Sequence, residues 1–300
     1  MNYLITGGTG TIGKNLINEL NQPVNNIVVL TRNKENAEKL FCKNIKLITD
    51  ITLSEINDAD VIINLAGEPI AKKRWSDKQK NKICQSRWQI TEYIATLIKQ
   101  SELPPSLFIS GSAIGVYGRQ NNSAIDEEFT NYHDEFSHHL CKKWESLALS
   151  AQSPKTRVVT LRTGIVLDRN SGALKEMSIP FQLGLGGKMG SGQQMMSWIH
   201  INDMVEAIIH IERNKKLIGP INMTAGNAVS NQVFTQAFAK ALHRPCLLTT
   251  PSIIIRCAFG EMSDLLLYGQ NVEPNKLLAS GFQFKFTALS SALENLYNNV

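Results

Sequence analysis

Residues 136–147, FSHHLCKKWESL, crowd two histidines, a thiol and two lysines into one short segment, which are the donors of a metal site or the makings of an activated nucleophile. The spacing speaks against a metal. Adjacent His138 and His139 point about 100° apart on a helix, and the His-x-x-x-His pair that chelation needs is missing, so no metal is expected. Cys141 is either a nucleophile whose pKa the neighbouring lysines depress or a buried filler beside the apolar stripe of Phe136, Leu140 and Trp144. A second constellation is TGGTGTIG, residues 6–13. Both GxGxxG (Gly8, Gly10, Gly13) and GxxGxxG (Gly7, Gly10, Gly13) can be read from it. Glycines there permit a tight turn, close approach of backbone to a pyrophosphate, and close packing of helix on strand. The helix that follows presents the N–H groups of Thr11, Ile12 and Gly13 to the anion. The predicted ligand is a dinucleotide.

The end of the second strand says which one. An acidic residue there would accept hydrogen bonds from the ribose hydroxyls of NAD, but the chain reads Leu30, Thr31, Arg32. A guanidinium can grip a 2′-phosphate with two parallel bonds, and no carboxylate stands there to repel it. NADP(H) is therefore expected over NAD(H). In the competing reading Arg32 is a solvated loop residue and Asp50 or another group serves the ribose.

These residues need elements to hold them. NYLIT (2–6), NIVVLT (26–31), IKLIT (45–49), VIINLAG (61–67), SLFISGS (106–112) and TRVVTLR (156–162) read as buried strands. Helical patterns lie between them, at GKNLINELN (13–21) and RWQITEYIATLIKQ (87–100). Alternation of this kind predicts an α/β fold, a Rossmann-type doubly wound parallel sheet covered on both faces. After about residue 165 the pattern changes to the glycine-rich LGLGGKMGSGQQ (183–194), more helices and a strand-like GFQFKF (281–286). The expected division is 1–165 for cofactor binding and 166–300 for a smaller C-terminal α/β lobe, with a soft boundary because the chain can cross between lobes. Lys188, Gln193 and Gln194 are the polar groups of the glycine-rich stretch that a substrate could touch. Asp203 is placed as the cap of a helix starting near Met204.

A formal charge of +5 spread along 300 residues, with Lys72, Lys73 and Arg74 as its densest cluster, favours a small anionic ligand over nucleic acid. Five well-separated cysteines without a CxxC pair read as reduced thiols. The start MNYLITGG enters a strand at once, and no segment approaches the roughly 20 apolar residues of a membrane helix. The expectation is a cytoplasmic protein with no membrane partner, a monomer or homodimer.

The ordered series GGTGTIG, INLAGEPI with RW at 74–75, SR at 86–87, SGSAIGVYG at 110–118, RTGIVL at 162–167, SWIHIND at 197–203 and GQNVEPNKLLASGFQF at 269–284 resembles the short-chain dehydrogenase/reductase superfamily. Within it, the series is similar to the atypical extended branch, an NAD-dependent epimerase/dehydratase-like family, over nearly the whole chain. The resemblance implies an NADP(H)-binding Rossmann domain with Leu65, Ala66 and Gly67 lining the cofactor after the fourth strand. It implies Lys82 and Arg87 approaching from the next helix, Ser110 on the fifth strand, and Ile165 near the nicotinamide. Typical members use a serine with a Tyr-x-x-x-Lys pair: the tyrosine is the general acid or base, and the lysine lowers its pKa and holds the ribose. Ser112 matches the serine. With Glu145 as anchor, Ser137 falls on the tyrosine position and Cys141 on the lysine position, so both are changed. A serine hydroxyl is a poor acid near neutral pH, and a thiol supplies no fixed positive charge. Tyr117 and His200 are the remaining proton carriers, Tyr117 either as a wall of the substrate cleft or packed against its own loop. His200 either touches substrate or bonds to backbone between lobes. The implied function is an NADP(H)-dependent oxidoreductase or nucleotide-sugar epimerase-like enzyme acting on a carbonyl compound or sugar nucleotide. Its rival is a catalytically inactive NADP(H)-binding redox sensor.

Overall fold

Apolar runs bounded by turn residues form seven strands in the computed structural model, which describes residues 1–298. They are β1 (Asn2–Thr6), β2 (Asn26–Leu30), β3 (Lys46–Ile48), β4 (Val61–Asn64), β5 (Leu107–Ala113), β6 (Arg157–Thr163) and β7 (Gly219–Met223). All pair in parallel, in the order β7-β6-β5-β4-β1-β2-β3. The order reverses between β1 and β4, and in such sheets ligands bind in the crevice outside the strand ends at that point. The first helices are α1 (Thr11–Leu20), α2 (Lys34–Glu38), α3 (Leu53–Asp58), α4 (Asp77–Gln100), α5 (Phe136–Leu149) and α6 (Gly172–Gln182). They are followed by α7 (Ile201–Arg213), α8 (Asn231–Ala241), α9 (Ser252–Phe259), α10 (Asp264–Leu267), α11 (Asn275–Ala279) and α12 (Leu289–Asn298).

One core packs α1 and α7 on the sheet through Leu16, Ile17, Met204 and Ile208. A second packs α3, α4 and α5 on the other face through Ile56, Ile94, Ile98 and Ala148. Strands covered on both faces have no polar side to show, which is why VIIN is buried at every position. A third core, with Leu174, Trp198, Phe234, Phe238 and Leu293, belongs to the C-terminal lobe.

The chain crosses between its halves, as the soft boundary at residue 165 allowed: β7 returns from the second half to pair with β6, with Ile221 against Leu161. Two details differ from the sequence reading. GFQFKF is not a strand. The N–H groups of Lys285 and Phe286 donate to the Asp203 carboxylate at 2.9 Å, so a side chain takes donors that a strand neighbour would have taken. Asp203 is consequently no helix cap. That place is held by His200, whose Nδ1 accepts from Asn202 N–H at 3.1 Å.

Candidate functional site

Gly7, directly after β1, has φ of +69°, and a Cβ there would strike the Leu65 carbonyl just past β4. Gly10 N–H donates to the Gly7 carbonyl at 3.0 Å, and a Cβ on Gly13 would run into that same carbonyl. Gly8 does a different job: its Cβ would meet Ile17 and Val29 at 2.7 Å, so its bareness lets α1 lie on the sheet. The Gly7-Gly10-Gly13 reading thus describes the turn, and Gly8 the packing. Gly10 caps α1 without a side-chain bond, leaving Thr11, Ile12 and Gly13 N–H groups without intrahelical acceptors at the crevice end. A tight, glycine-rich turn facing bare helix donors fits a pyrophosphate.

At the end of β2, Thr31 is buried and its N–H donates to the Ile48 carbonyl at 2.9 Å. Arg32 is exposed and, among the described residues, has no carboxylate within 4.0 Å. Asp50 accepts from Ile51 N–H at 2.9 Å.

Past β4 come Leu65, Ala66 and Gly67, propped by a buried chain that sequence reasoning missed. Thr6 donates to Asn64 Oδ1 at 2.6 Å, Asn64 Nδ2 to Thr91 at 2.8 Å, and Trp144 Nε1 to Thr91 at 3.0 Å. The polar ends of NYLIT and VIIN were its only signal. Lys82 pairs with Glu68 at 3.0 Å, and that bond holds the Glu68 carboxyl below its ordinary range. Arg87 lies against Gly67, whose Cβ would sit 2.9 Å from the guanidinium carbon. Its guanidinium also stands 5.2 Å from the centre of the Trp144 ring. Ser110 is buried in β5, and among the described residues its hydroxyl donates only to the Gly111 carbonyl, at 3.3 Å. Ile165 is half-buried and pairs with Trp198 beside the sheet.

Ser112 and Tyr117 do not open on this crevice as expected. The Ser112 hydroxyl donates to Glu145 at 2.7 Å, and Glu145 receives two Arg162 donors at 2.9 Å each. Arg162 also donates to the Tyr117 oxygen at 3.0 Å, and that hydroxyl donates to Asn222 Oδ1 at 2.7 Å. A buried guanidinium must be paired and hydrogen-bonded, and these groups do it. Tyr117 is fully buried, and burial pushes its phenol up to about 12. Of its two readings the structure shows the packed one, with the ring against Phe129 and Tyr132.

Ser137 and Cys141 share one buried face of α5, beneath Gly115, whose Cβ would lie 3.2 Å from Ser137 Cβ and 3.8 Å from Cys141 Sγ. The Ser137 hydroxyl donates to Glu135. Arg119 donates to Glu135 at 3.1 Å and to Asp264 at 3.0 Å, and stacks over Tyr268 at 4.3 Å. Burial and then the Glu145 charge push the Cys141 thiol up to about 12, the reverse of an activated nucleophile. His138 Nδ1 meets the Val116 carbonyl at 2.6 Å, and His139 pairs with Asp134. Among the described residues no three His, Cys, Asp or Glu side chains gather as a metal site.

Of the groups assigned to substrate, His200 is buried, with its ring 3.9 Å from that of Phe286. Burial, then the Lys285 charge, lower its pKa to about 4. It does not reach a cleft. Gln194 donates inward to the Met189 and Leu266 carbonyls at 3.1 and 2.8 Å. Lys188 is half-buried in Gly187–Met189, paired with Leu248–Thr250, and Gln193 is exposed. The glycines of this stretch permit close packing: a Cβ on Gly186 would enter the Phe181 ring, and one on Gly187 would hit the Leu248 carbonyl.

A parallel sheet reversing at β1 and β4, with a glycine turn and bare helix end at the reversal, defines a Rossmann-like dinucleotide-binding protein. The sequence profile of the NAD-dependent epimerase/dehydratase family matches residues 3–223, and that of a domain of unknown function, DUF1731, matches residues 250–296. The chain belongs to the NAD-dependent epimerase/dehydratase family. It is 37% identical to the epimerase family protein SH2119 of Staphylococcus haemolyticus, over 98% of each chain. It is also similar to the crystal structure of human epimerase family protein SDR39U1 with NADPH, at 31% identity and a TM-score of 0.89 over 100% of both chains. A nucleoside-diphosphate sugar epimerase from Corynebacterium glutamicum matches at 26% identity and a TM-score of 0.79, over 99% of this chain and 58% of that one. No helix among the described residues is long and apolar enough to cross a membrane.

Proposed function

We propose that the protein is an NADP(H)-dependent oxidoreductase that works on a small carbonyl compound or sugar nucleotide in the crevice between its sheet and its C-terminal lobe. The observation that carries this reading is the pairing of the glycine turn at Gly7, Gly10 and Gly13 with an unpaired Arg32 where an NAD-binding chain needs a carboxylate. The NADPH in the similar human structure supports it. Thr11, Ile12 and Gly13 would hold the pyrophosphate, Arg32 the 2′-phosphate, and Leu65, Ala66, Gly67 and Ile165 the wall toward the nicotinamide. When bound, the cofactor supplies hydride chemistry. Ser137, at the tyrosine position, is as buried as Ser112 and donates to Glu135, so a substrate oxygen would have to take that bond over for Ser137 to orient it.

A second reading, a catalytically silent NADP(H)-binding sensor, draws on one observation: the hydroxyls of Ser112 and Tyr117 are both committed to the buried Arg162–Glu145 network. Titrating the protein with NADPH and NADH, with and without Arg32→Ala, tests what the two readings share. The expected result is NADPH binding weakened ~10-fold or more by the substitution, with NADH binding unchanged, as for loss of a charged hydrogen-bond pair. Binding of neither nucleotide would rule out both readings. NADPH oxidation with any of a panel of aldehydes, quinones and sugar nucleotides, lost in Ser137→Ala, separates enzyme from sensor.

A further inference from the structure

The helix α5 turns a second face to a cavity of about 400 Å³. Val116 and Tyr132 line one side of it and His138, Lys142 and Leu149 the other, with the buried Glu145–Arg162 pair at its base. Cavities of this size hold small molecules. None of these residues borders the phosphate turn, and Ser137 and Cys141 each precede a lining residue by one position, about 100° around the helix.

His138 is 5% exposed, and its ring stacks on that of Tyr132 at 5.1 Å. Its Nδ1 lies 2.6 Å from the Val116 carbonyl, an oxygen that only accepts. Nδ1 therefore holds the ring proton, and Nε2 of the neutral ring is a bare lone pair. Among the described residues Nε2 has no hydrogen-bond partner, and it is not sealed from solvent. In a side chain so buried, the opening that reaches Nε2 is the cavity that His138 lines. One turn on, Lys142 is exposed and, among the described residues, has no carboxylate within 4.0 Å. Glu145 does not serve it, because its two oxygens already take Ser112 and Arg162 donors.

Residues four apart on a helix have Cβ atoms about 5–6 Å apart. The cavity thus sets a hydrogen-bond acceptor and a free cation side by side, next to the apolar Val116 and Leu149 and the Tyr132 ring. The complementary molecule has a ring-shaped apolar body, an anionic group and a separate hydroxyl.

We propose that this cavity is a second ligand site, for a small aromatic acid whose carboxylate pairs with Lys142 and whose hydroxyl donates to His138 Nε2. It is independent of the cofactor reading. The probe is 4-hydroxybenzoate, titrated into the full chain by calorimetry. Its partner is 4-methoxybenzoate, which keeps the charge and lacks the donor. Lys142→Met, an exposed change that is expected to leave the melting temperature alone, is expected to weaken 4-hydroxybenzoate ~10-fold, as for loss of a charged bond. The methoxy probe is expected to bind the unaltered protein ~3- to 10-fold more weakly than the hydroxy probe. In His138→Phe that preference is expected to vanish. Saturating NADPH is expected to leave both affinities unchanged. No binding at millimolar probe, equal affinity of the two probes for the unaltered protein, or no loss in Lys142→Met would each overturn the proposal. Displacement of the probe by NADPH would overturn it too, by putting the probe in the dinucleotide crevice.

Discussion

His200 illustrates how a single side chain can be read for chemistry when its surroundings give it a structural task. Its Nδ1 caps α7 and its ring lies on Phe286, where burial lowers its pKa to about 4. The unfolded chain takes up a proton near 6.5, whereas the folded chain resists until about 4. The His200 contribution is therefore fully present above pH 6.5 and is lost as pH falls toward 4, about 3 kcal/mol in all. Urea unfolding from pH 7 to 4.5 is expected to show a gap between the unaltered protein and His200→Asn that varies with pH across this window. A constant gap would remove the titration argument. Asp203 sits three residues on, and burial raises its carboxyl pKa. Its titration is common to both proteins and drops out of the difference.

Between elements, the Arg162–Glu145 pair joins β6 to α5 and recruits Ser112 from β5 and Asn222 from β7 through Tyr117. Glu145→Gln leaves Arg162 buried with half its partner gone, and is expected to cost ~3–5 kcal/mol. Glu145→Gln combined with Arg162→Met removes the stranded charge and is expected to cost less than Glu145→Gln alone. Denaturant midpoints of the three proteins read this directly. A double variant less stable than Glu145→Gln would mean that Arg162 contributes through packing rather than through charge. Position 145 also bears on legibility: Glu145 was an alignment anchor in the sequence, and nothing local marked it as the partner of an arginine on another element.

Across the whole molecule, the C-terminal lobe is tied to the crevice by Arg119–Asp264 at 3.0 Å, Lys80–Glu261 at 2.8 Å and Gln270 to the Gly118 carbonyl at 2.6 Å. The ion pairs are partly exposed, and such pairs are worth about 0.2–1 kcal/mol each. The segment 252–267 is held by these ties together with the buried Ile255 and Met262, the latter packed with Trp75, Ile83 and Leu140, a smaller core than that of the sheet. In Asp264→Asn, amide exchange is expected to quicken in 252–267 and stay unchanged in β1, β4 and β5. Exchange that quickens everywhere would show that the ties stabilise the molecule globally.

The amino-acid sequence by itself determined the parallel sheet, the glycine turn and the place of Arg32, because each is written in residues close together in the chain. Apolar runs of strand length can bury themselves only in a covered sheet, and Gly7 at φ +69° is a local backbone demand. The changed residues at 137 and 141 were also visible, since helical spacing puts positions four apart on one face. Only the tertiary structure decided what the hydroxyls of Ser112 and Tyr117 are bonded to, that β7 completes the sheet, that Asp203 holds residues 285–286, and that Arg87 stands beside Gly67. Each of those depends on partners brought together from distant parts of the chain. A charge or hydroxyl has no fixed role until burial removes water and leaves it with the neighbours the fold provides.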